Sequence, residues 1–333
     1  MATCSRRIIV APVLLAAVLL AFAAAARAQS PGGTVAYPHR SVKVLVGFAA
    51  GGLPDTVGRL INEELSARWG QRVITENRPG AGGLLAAEAL SKAPADGYTL
   101  FISDSSVTSI KPYLYPNLTY SETDFAQLGM VARAPLFLAV NASIGAHSMT
   151  ELIALARANP GRLNYASSGV GSLHHLGMEA LKSALGLDIV HVAYRGSGES
   201  VPALISGRVA MAYSAGPSLA GYARDGRLRI LAVNSATRSA LAPDVPTVAE
   251  SGVPAYDFAP SIGYLAPAGT PREVILKIAR DLAEVVKSPN IARRFADLGI
   301  EAVGSTPEQH AAQWRSDAER YSRVMRKIGA RPE

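Results

Sequence analysis

Short apolar runs alternate with longer amphipathic stretches along most of the chain. The runs predict nine strands: Val42–Phe48, Arg72–Glu76, Tyr98–Ile102, Leu136–Asn141, Leu163–Ala166, Ile189–Tyr194, Val209–Tyr213, Leu228–Val233 and Ile262–Ala266. The stretch from Asp55 to Trp69 carries its apolar residues on one face, which is typical of a helix packed on a sheet. This alternation favours mainly parallel, doubly wound α/β sheets, and the length of the chain favours two domains.

The first 28 residues have the pattern of a secretory signal peptide. Met1 to Arg7 is basic, Ile8 to Ala26 is almost unbroken apolar sequence, and Ala26-Arg27-Ala28 matches a signal-peptidase site. An anchor that stays in the membrane is the alternative, because the apolar run approaches the roughly 17–20 residues that span a bilayer. Polar sequence containing Pro and Gly follows the site, so we expect cleavage after Ala28 and export of the chain.

Cysteine and charge narrow the classes of function. The single cysteine, Cys4, leaves with the predicted signal peptide, which removes disulfides, thiol nucleophiles and cysteine metal sites from the mature chain. The formal charge of +7 falls to +4 without Arg6, Arg7 and Arg27. The remaining charges are scattered and aromatic residues make up 6% of the chain, which argues against nucleic-acid binding. A mild positive bias suits a small anionic ligand.

Catalytic and cofactor motifs are missing from the sequence. It contains no G-x-S-x-G, G-x-x-x-x-G-K, G-x-G-x-x-G or H-E-x-x-H. His174 and His175 are adjacent, so on a helix they point about 100° apart and do not form a chelating pair. We therefore expect no metal and no cofactor. A secreted serine hydrolase that uses Ser172 and His174 is the alternative from another class.

Glycine- and hydroxyl-rich loops follow six of the predicted strands. They are Phe48–Asp55, Asn77–Gly83, Ser103–Ser106, Ser167–Ser172, Tyr194–Gly198 and Ser214–Ser218. In a doubly wound sheet such loops lie at the carboxyl ends of the strands, where ligands bind. Glycine lets backbone N–H groups approach a ligand, and helix N-termini favour a carboxylate. The six loops together predict a site for a small anion.

Several of these motifs are similar to those of the substrate-binding proteins of tripartite tricarboxylate transporters, the Bug receptors. The resemblance runs from Tyr37-Pro38 to the last helix. The motifs are Phe48–Asp55, similar to F-x-P-G-G-x-x-D, with Glu76–Gly83, Ala95–Leu100, Gly171–Leu176, Tyr194–Gly196 and Asp244–Gly252. The resemblance implies a type II periplasmic binding protein with two doubly wound α/β domains joined by a two-strand hinge.

The resemblance also implies how the chain is divided and used. Residues 37–134 and 253–333 would form domain 1, and residues 135–252 would form domain 2. A monomeric periplasmic receptor would hold a small carboxylate between the domains and deliver it to the membrane permease subunits of a tripartite tricarboxylate transporter. A receptor that feeds a two-component sensor kinase is the alternative. The expected ligand-binding residues are Ala50, Gly51, Gly52, Leu53, Asp55, Gly80, Ala81, Gly82, Gly83, Asp104, Ser105, Ser168, Gly169, Ser172, His174, Tyr194, Arg195, Gly196, Ser214, Ala215 and Gly216.

The sequence departs from the family pattern in three places. Ala50 stands where the family usually has proline. Leu53-Pro54 replaces small or polar residues, and Pro54 removes one backbone donor from the loop. Ala210 and Ser214 stand where relatives often carry acids, which weakens the case for an amino-acid ligand, because its ammonium group would need a carboxylate partner. Asp104 is a possible substitute for that partner. We expect carboxylates without an ammonium group to bind better than aspartate or glutamate.

Overall fold

Two mixed β-sheets with helices packed against them make up the described part of the chain. The structure is a computed structural model that describes residues 37–115 and 117–329, and the predicted signal peptide lies outside them. Residues from Arg40 onward belong to one unit. The strands of the first sheet are β1 (Val42–Val46), β2 (Val73–Asn77), β3 (Thr99–Asp104), β4 (Phe125–Arg133), β10 (Ser261–Pro267) and β11 (Glu301–Ala302). Their order in the sheet is β11-β4-β10-β3-β1-β2.

The second sheet is built from the central part of the chain. Its strand order is β7-β6-β8-β5-β9. The strands are β5 (Leu136–Asn141), β6 (Asn164–Ser167), β7 (Val190–Ala193), β8 (Met211–Ala215) and β9 (Leu228–Val233). All strands of this sheet thus lie within the predicted domain 2, while the strands of the first sheet lie on either side of it. The exact domain boundaries stay a prediction.

The expectation of mainly parallel sheets is wrong. Three strands of each sheet run parallel, β2-β1-β3 in the first and β7-β6-β8 in the second. The strand beside each group, β10 or β5, is antiparallel to both of its neighbours. Helical crossovers supply the parallel pairs. By contrast, the antiparallel strands β5 and β10 are the first strands that the chain forms after it passes from one sheet to the other, and no helical crossover leads into them.

The helices follow the strands as the amphipathic pattern predicts. Their bounds are α1 (Leu53–Trp69), α2 (Leu84–Ser91), α3 (Ser106–Ser109), α4 (Lys111–Leu114), α5 (Met149–Ala158), α6 (Leu173–Leu185), α7 (Ser197–Ile205), α8 (Gly216–Arg224), α9 (Arg272–Val286), α10 (Pro289–Asp297) and α11 (Pro307–Ile328). Among the described residues, no helix combines the length and the hydropathy needed to cross a bilayer. Each sheet is buried on its helix-covered faces.

Apolar packing holds each sheet to its helices. Leu45, Phe101 and Trp314 belong to the core of the first sheet, and Phe137 and Leu204 belong to the core of the second. Each such side chain stabilises the fold by about 1.5–3 kcal/mol when it is fully buried. Because the strands are fixed in this way, the loops at their ends have defined positions. The parallel strands end at Val46, Asn77 and Asp104 in the first sheet and at Ser167, Ala193 and Ala215 in the second.

Candidate functional site

A narrow cavity lies where loops of the first sheet meet loops of the second. It is bordered by Phe48, Gly52, Leu53, Pro54, Asp104, Leu136, Ser168, Leu173, His174, Ser197, Pro260 and Ile262. Most of these side chains are apolar, and four carry polar groups. The cavity volume is about 10 Å³, which is room for about one water molecule. In this arrangement the two sheets therefore leave no space for an organic acid unless they move apart.

Three helix N-termini border this cavity. Helix α1 contributes Gly52, Leu53 and Pro54, helix α6 contributes Leu173 and His174, and helix α7 contributes its first residue, Ser197. No side chain caps α1 or α7, because glycine occupies each N-cap position. Unpaired N–H groups and the helix dipole give such N-termini a partial positive charge. Helices from both sheets thus make one positively polarised site.

Two ionisable side chains that border the cavity make few hydrogen bonds within the protein. Asp104 is buried, and its Oδ1 accepts the backbone N–H of Ser106 at 2.9 Å. Burial raises the pKa of Asp104 despite that bond and the attraction of Lys111. Both ring nitrogens of His174 are buried without a hydrogen-bond partner among the described residues, and burial lowers its pKa to about 4. His174 is therefore a neutral imidazole with one free donor and one free acceptor.

Lys111 lies between the two sheets, although no pattern in the sequence marks it as a site residue. The side chain is fully buried at the start of α4, and its Nζ donates to the backbone carbonyl of Val170, in a loop of the second sheet. Burial lowers the pKa of Lys111 to about 7, although Asp104 acts in the opposite direction. A single lysine in a polar stretch has the pattern of an exposed residue. Only the fold shows that it bridges the sheets.

Glycines let the backbones of the two sheets touch. A Cβ atom added to Gly169 would lie 2.8 Å from the backbone nitrogen of Gly82, and one added to Gly196 would lie 2.7 Å from that of Ala49. Ala49 N–H donates to the carbonyl of Arg195 at 3.1 Å. The glycine loops of the two sheets therefore face one another.

Asp55 holds the first loop in place. Its carboxylate accepts the backbone N–H of Gly51 at 2.9 Å, the Nε of Arg59 at 3.0 Å and the amide of Asn77 at 2.9 Å. Burial alone would raise the pKa of Asp55, but these hydrogen bonds and the Arg59 charge outweigh it and lower the pKa. The carboxylate is thus used to shape the loop that ends at helix α1.

The other predicted site residues differ in where the fold places them. Five of them border the cavity: Gly52, Leu53, Asp104, Ser168 and His174. Sixteen do not: Ala50, Gly51, Asp55, Gly80, Ala81, Gly82, Gly83, Ser105, Gly169, Ser172, Tyr194, Arg195, Gly196, Ser214, Ala215 and Gly216. Ser105 donates to Asp317 at 3.1 Å, and Arg195 is exposed and pairs with Glu199. Their role in binding stays a prediction.

Ser172 and His174 are not paired as a nucleophile and base. The Ser172 hydroxyl caps helix α6, where it accepts the backbone N–H of His175 at 3.3 Å. His174, in turn, makes no hydrogen bond through either ring nitrogen within the described residues. The geometry therefore does not favour the serine hydrolase alternative.

Seven residues that border the cavity are not among the ligand-binding residues expected from the sequence. They are Phe48, Pro54, Leu136, Leu173, Ser197, Pro260 and Ile262. Phe48, Pro54 and Ser197 lie within loops that the sequence pattern marked, but the glycine and hydroxyl residues beside them were selected as the ligand-binding residues. Pro260 and Ile262 reach the site only because β10 pairs with β3, which brings Ile262 opposite Asp104.

Comparison with known proteins identifies relatives along almost the full chain. The sequence profile described as "Tripartite tricarboxylate transporter family receptor" matches residues 57–330. Protein BugT of Bordetella pertussis is 34% identical over 319 residues, which cover 95% of this chain and 98% of that protein. The UPF0065 protein in the tcbD-tcbE intergenic region of Pseudomonas sp. (strain P51) is 34% identical over 292 residues, 87% of each chain.

Solved structures share the fold. Rpa4515 of R. palustris, solved with adipate, is 33% identical with a TM-score of 0.86, and the match covers 89% of this chain and 100% of that one. MatC of Rhodopseudomonas palustris, solved with bound malate, is 28% identical with a TM-score of 0.82 and coverage of 86% and 99%. These similarities confirm the predicted resemblance and the predicted periplasmic binding fold.

Proposed function

The chain belongs to the receptors of the tripartite tricarboxylate transporter family, and from this premise we propose that it captures a small carboxylate between its two sheets for uptake. The carboxylate would bind at the cavity bordered by α1, α6 and α7. A membrane permease of the same transporter type would then take the ligand from the loaded receptor. We propose that the receptor works as a monomer in the periplasm, after cleavage behind Ala28, and needs no cofactor.

The convergence of three helix N-termini on one cavity carries this proposal. Each N-terminus is equivalent to roughly half a positive charge, so three of them suit one carboxylate. The first residues of α1 and α7 come from different sheets and lack side-chain caps. Their N–H groups are therefore free for an anion when the sheets come together around it. The bound adipate of Rpa4515 and malate of MatC support a carboxylate ligand.

Entry of the ligand requires the sheets to separate. The cavity volume of about 10 Å³ is too small for any organic acid. Bonds between the sheets, such as Ala49 N–H to Arg195 O at 3.1 Å, would open during entry and re-form around the ligand. We propose a hinge at the two chain crossings, near Ala134 and Gly252, and closure would let a permease distinguish the loaded receptor.

A thermal-shift screen tests the proposed function. The mature protein is heated with dicarboxylates, hydroxy acids, aromatic acids and amides, and hits are confirmed by calorimetry. A ligand at a hundredfold its Kd stabilises the folded state by about 2.7 kcal/mol, which raises the Tm by roughly 4 °C for a chain of this size. Matched neutral alcohols serve as the control. Equal shifts by acids and alcohols, or no shift by any acid, would contradict a carboxylate receptor.

A further inference from the structure

One side of the cavity carries a carboxylate of the protein itself. Asp104 closes strand β3 and borders the cavity, and its Oδ1 is bonded to the N–H of Ser106. Among the described residues, Ser106 is the hydrogen-bonding partner of this carboxylate, which leaves acceptor capacity for a ligand. An ionised carboxylate is only an acceptor. A ligand group that approaches this carboxylate must therefore be a donor, or must bring its own proton.

The neighbouring groups supply little positive charge for a second ligand carboxylate. Lys111 is the cation that attracts Asp104, while Asp317 repels it. The Lys111 amine donates to the carbonyl of Val170, and because its pKa is lowered to about 7 it carries less than one full positive charge at about pH 8. His174 is held neutral by burial. The helix N-termini thus provide the remaining positive potential, and this is enough for one carboxylate.

We propose that the cavity selects an anion with one carboxylate and, at its other end, a neutral hydrogen-bond donor that is read by Asp104 and His174. Hydroxy acids and amide acids belong to this class. A second carboxylate is disfavoured because it and Asp104 could not both stay ionised in an apolar cavity, so one of the two would have to take up a proton. This inference rests on the proposed function, and it sets the chain apart from the relatives solved with adipate and malate.

A series of acids with the same four-carbon chain isolates the distal group. The series is butyrate, 4-hydroxybutyrate, succinamate, 4-aminobutyrate and succinate, each titrated by calorimetry at about pH 8. We expect 4-hydroxybutyrate and succinamate to bind at least about tenfold more tightly than succinate, because a charged-group hydrogen bond replaces a like-charge contact. 4-Aminobutyrate tests whether a cationic donor is preferred to a neutral one. If it binds most tightly, the neutral-donor proposal is overturned.

The variant Asp104→Asn tests whether the Asp104 carboxylate sets the preference for a neutral donor. Its amide can donate to a second carboxylate, so we expect the preference for succinamate over succinate to fall at least about tenfold. Asp188→Asn is the control, because Asp188 is an exposed aspartate outside the cavity, and it should keep the wild-type preference. If Asp104→Asn does not fold, the wild-type protein still provides a test. Lowering the pH from about 8 to about 5 should reduce the preference for succinamate over succinate, because the second carboxyl group of succinate and the carboxyl group of Asp104 take up protons.

The outcomes separate the two proposals. Binding of 4-hydroxybutyrate and succinamate ahead of succinate, with the preference lost in Asp104→Asn, supports the inference. Tight binding of succinate by the wild type at about pH 8, or an unchanged preference in Asp104→Asn, overturns the inference and leaves the carboxylate receptor intact. No binding by any acid of the series or of the wider screen overturns the proposed function, and the inference fails with it.

Discussion

Substitution of one glycine should hold the two sheets apart without disturbing either of them. Gly198 is the second residue of α7, and an added Cβ would overlap the backbone carbonyl oxygen of Ala50, in the first loop of the other sheet. Its φ angle lies outside the left-handed region, so alanine fits the helix itself. Gly198→Ala therefore introduces a clash only when the sheets meet.

The size of the effect follows from this overlap. Ordinary contacts between carbon and oxygen need about 3.5 Å, so the loop at Ala50 must retreat by more than about 1 Å. Asp55 anchors that loop through the N–H of Gly51, which limits its freedom to move. Overpacking of this kind costs typically about 1–3 kcal/mol, which corresponds to about 5- to 150-fold weaker ligand binding. The free energy of unfolding of the ligand-free protein should stay the same or rise by about 0.5–1 kcal/mol, because alanine has a higher helix propensity than glycine.

Calorimetry and small-angle scattering measure the two consequences. Gly198→Ala should bind the best acid of the screen more weakly, and its radius of gyration should not shrink with ligand as that of the wild type does. Gly221→Ala is the matched control, since Gly221 is also in a helix but has open space around its Cβ position. Equal affinity and equal compaction in Gly198→Ala and the control would refute closure of the sheets around the ligand.

Three further predictions concern single side chains. Ser172→Ala removes the cap of α6 and should lower the free energy of unfolding by about 1 kcal/mol in urea titrations. If the hydroxyl meets the anion, the same variant should also weaken ligand binding by roughly 1–3 kcal/mol. Thr306→Ala removes the cap of α11 and serves as the control, because it should lower stability without changing ligand affinity. The folded-state pKa of Lys111, about 7, lies below its unfolded value, so the unfolded state binds more protons between about pH 7 and pH 10. Wild-type stability relative to Lys111→Met should therefore rise with pH across that window, and a flat difference would contradict burial of the amine. His174 should remain neutral down to about pH 4 when its ring nitrogens are observed by NMR, and titration near its ordinary value of 6.5 would contradict its place in the cavity.

Much of the fold could be predicted from the hydrophobic pattern, because the central strands it marked, such as β1, β3, β5 and β10, are largely buried, whereas the edge strands β2 and β7 are partly exposed. The hydrophobic pattern did not predict strands β4 and β11. In β4, Gln127 and Gly129 interrupt the apolar run, and Gly129 is required there because an added Cβ would lie 2.7 Å from the carbonyl oxygen of Ser305. Strand β11 has two residues and exists only through its pairing with β4. Both depend on long-range pairing, which a local pattern does not contain.

Helix caps also show that a local sequence pattern predicts some structural features correctly and others not. Ser148 and Thr306 cap their helices as the spacing predicts. The sequence Thr270-Pro271-Arg272-Glu273 has the same spacing and predicts that Thr270 caps α9, and this prediction is wrong. Pro271 occupies the N-cap position, and the buried Thr270 hydroxyl has no hydrogen-bond partner among the described residues. The ψ angle of Pro271 is 136°, which is extended backbone, so the helix begins one residue later than the motif suggests.

The site was predictable as a set of loops but not as a cavity. Glycine-rich loops at strand ends indicated where an anion would bind, and Asp104 and His174 were named from the sequence. The bridge from Lys111 to Val170 was not predictable, because the two residues are 59 positions apart and belong to different sheets. Lys111 attracts the cavity residue Asp104, so the charges that act on a ligand could be identified only from the fold.

A crystal structure of the complex with the tightest acid from the screen tests the central claim most directly. The account predicts a carboxylate between the sheets, with its oxygens about 2.7–3.2 Å from backbone N–H groups at the starts of both α1 and α7. It also predicts that the cavity widens to hold the ligand while the glycine loops stay in contact. An acid bound away from these helix N-termini, or held by the loops of one sheet alone, would contradict it.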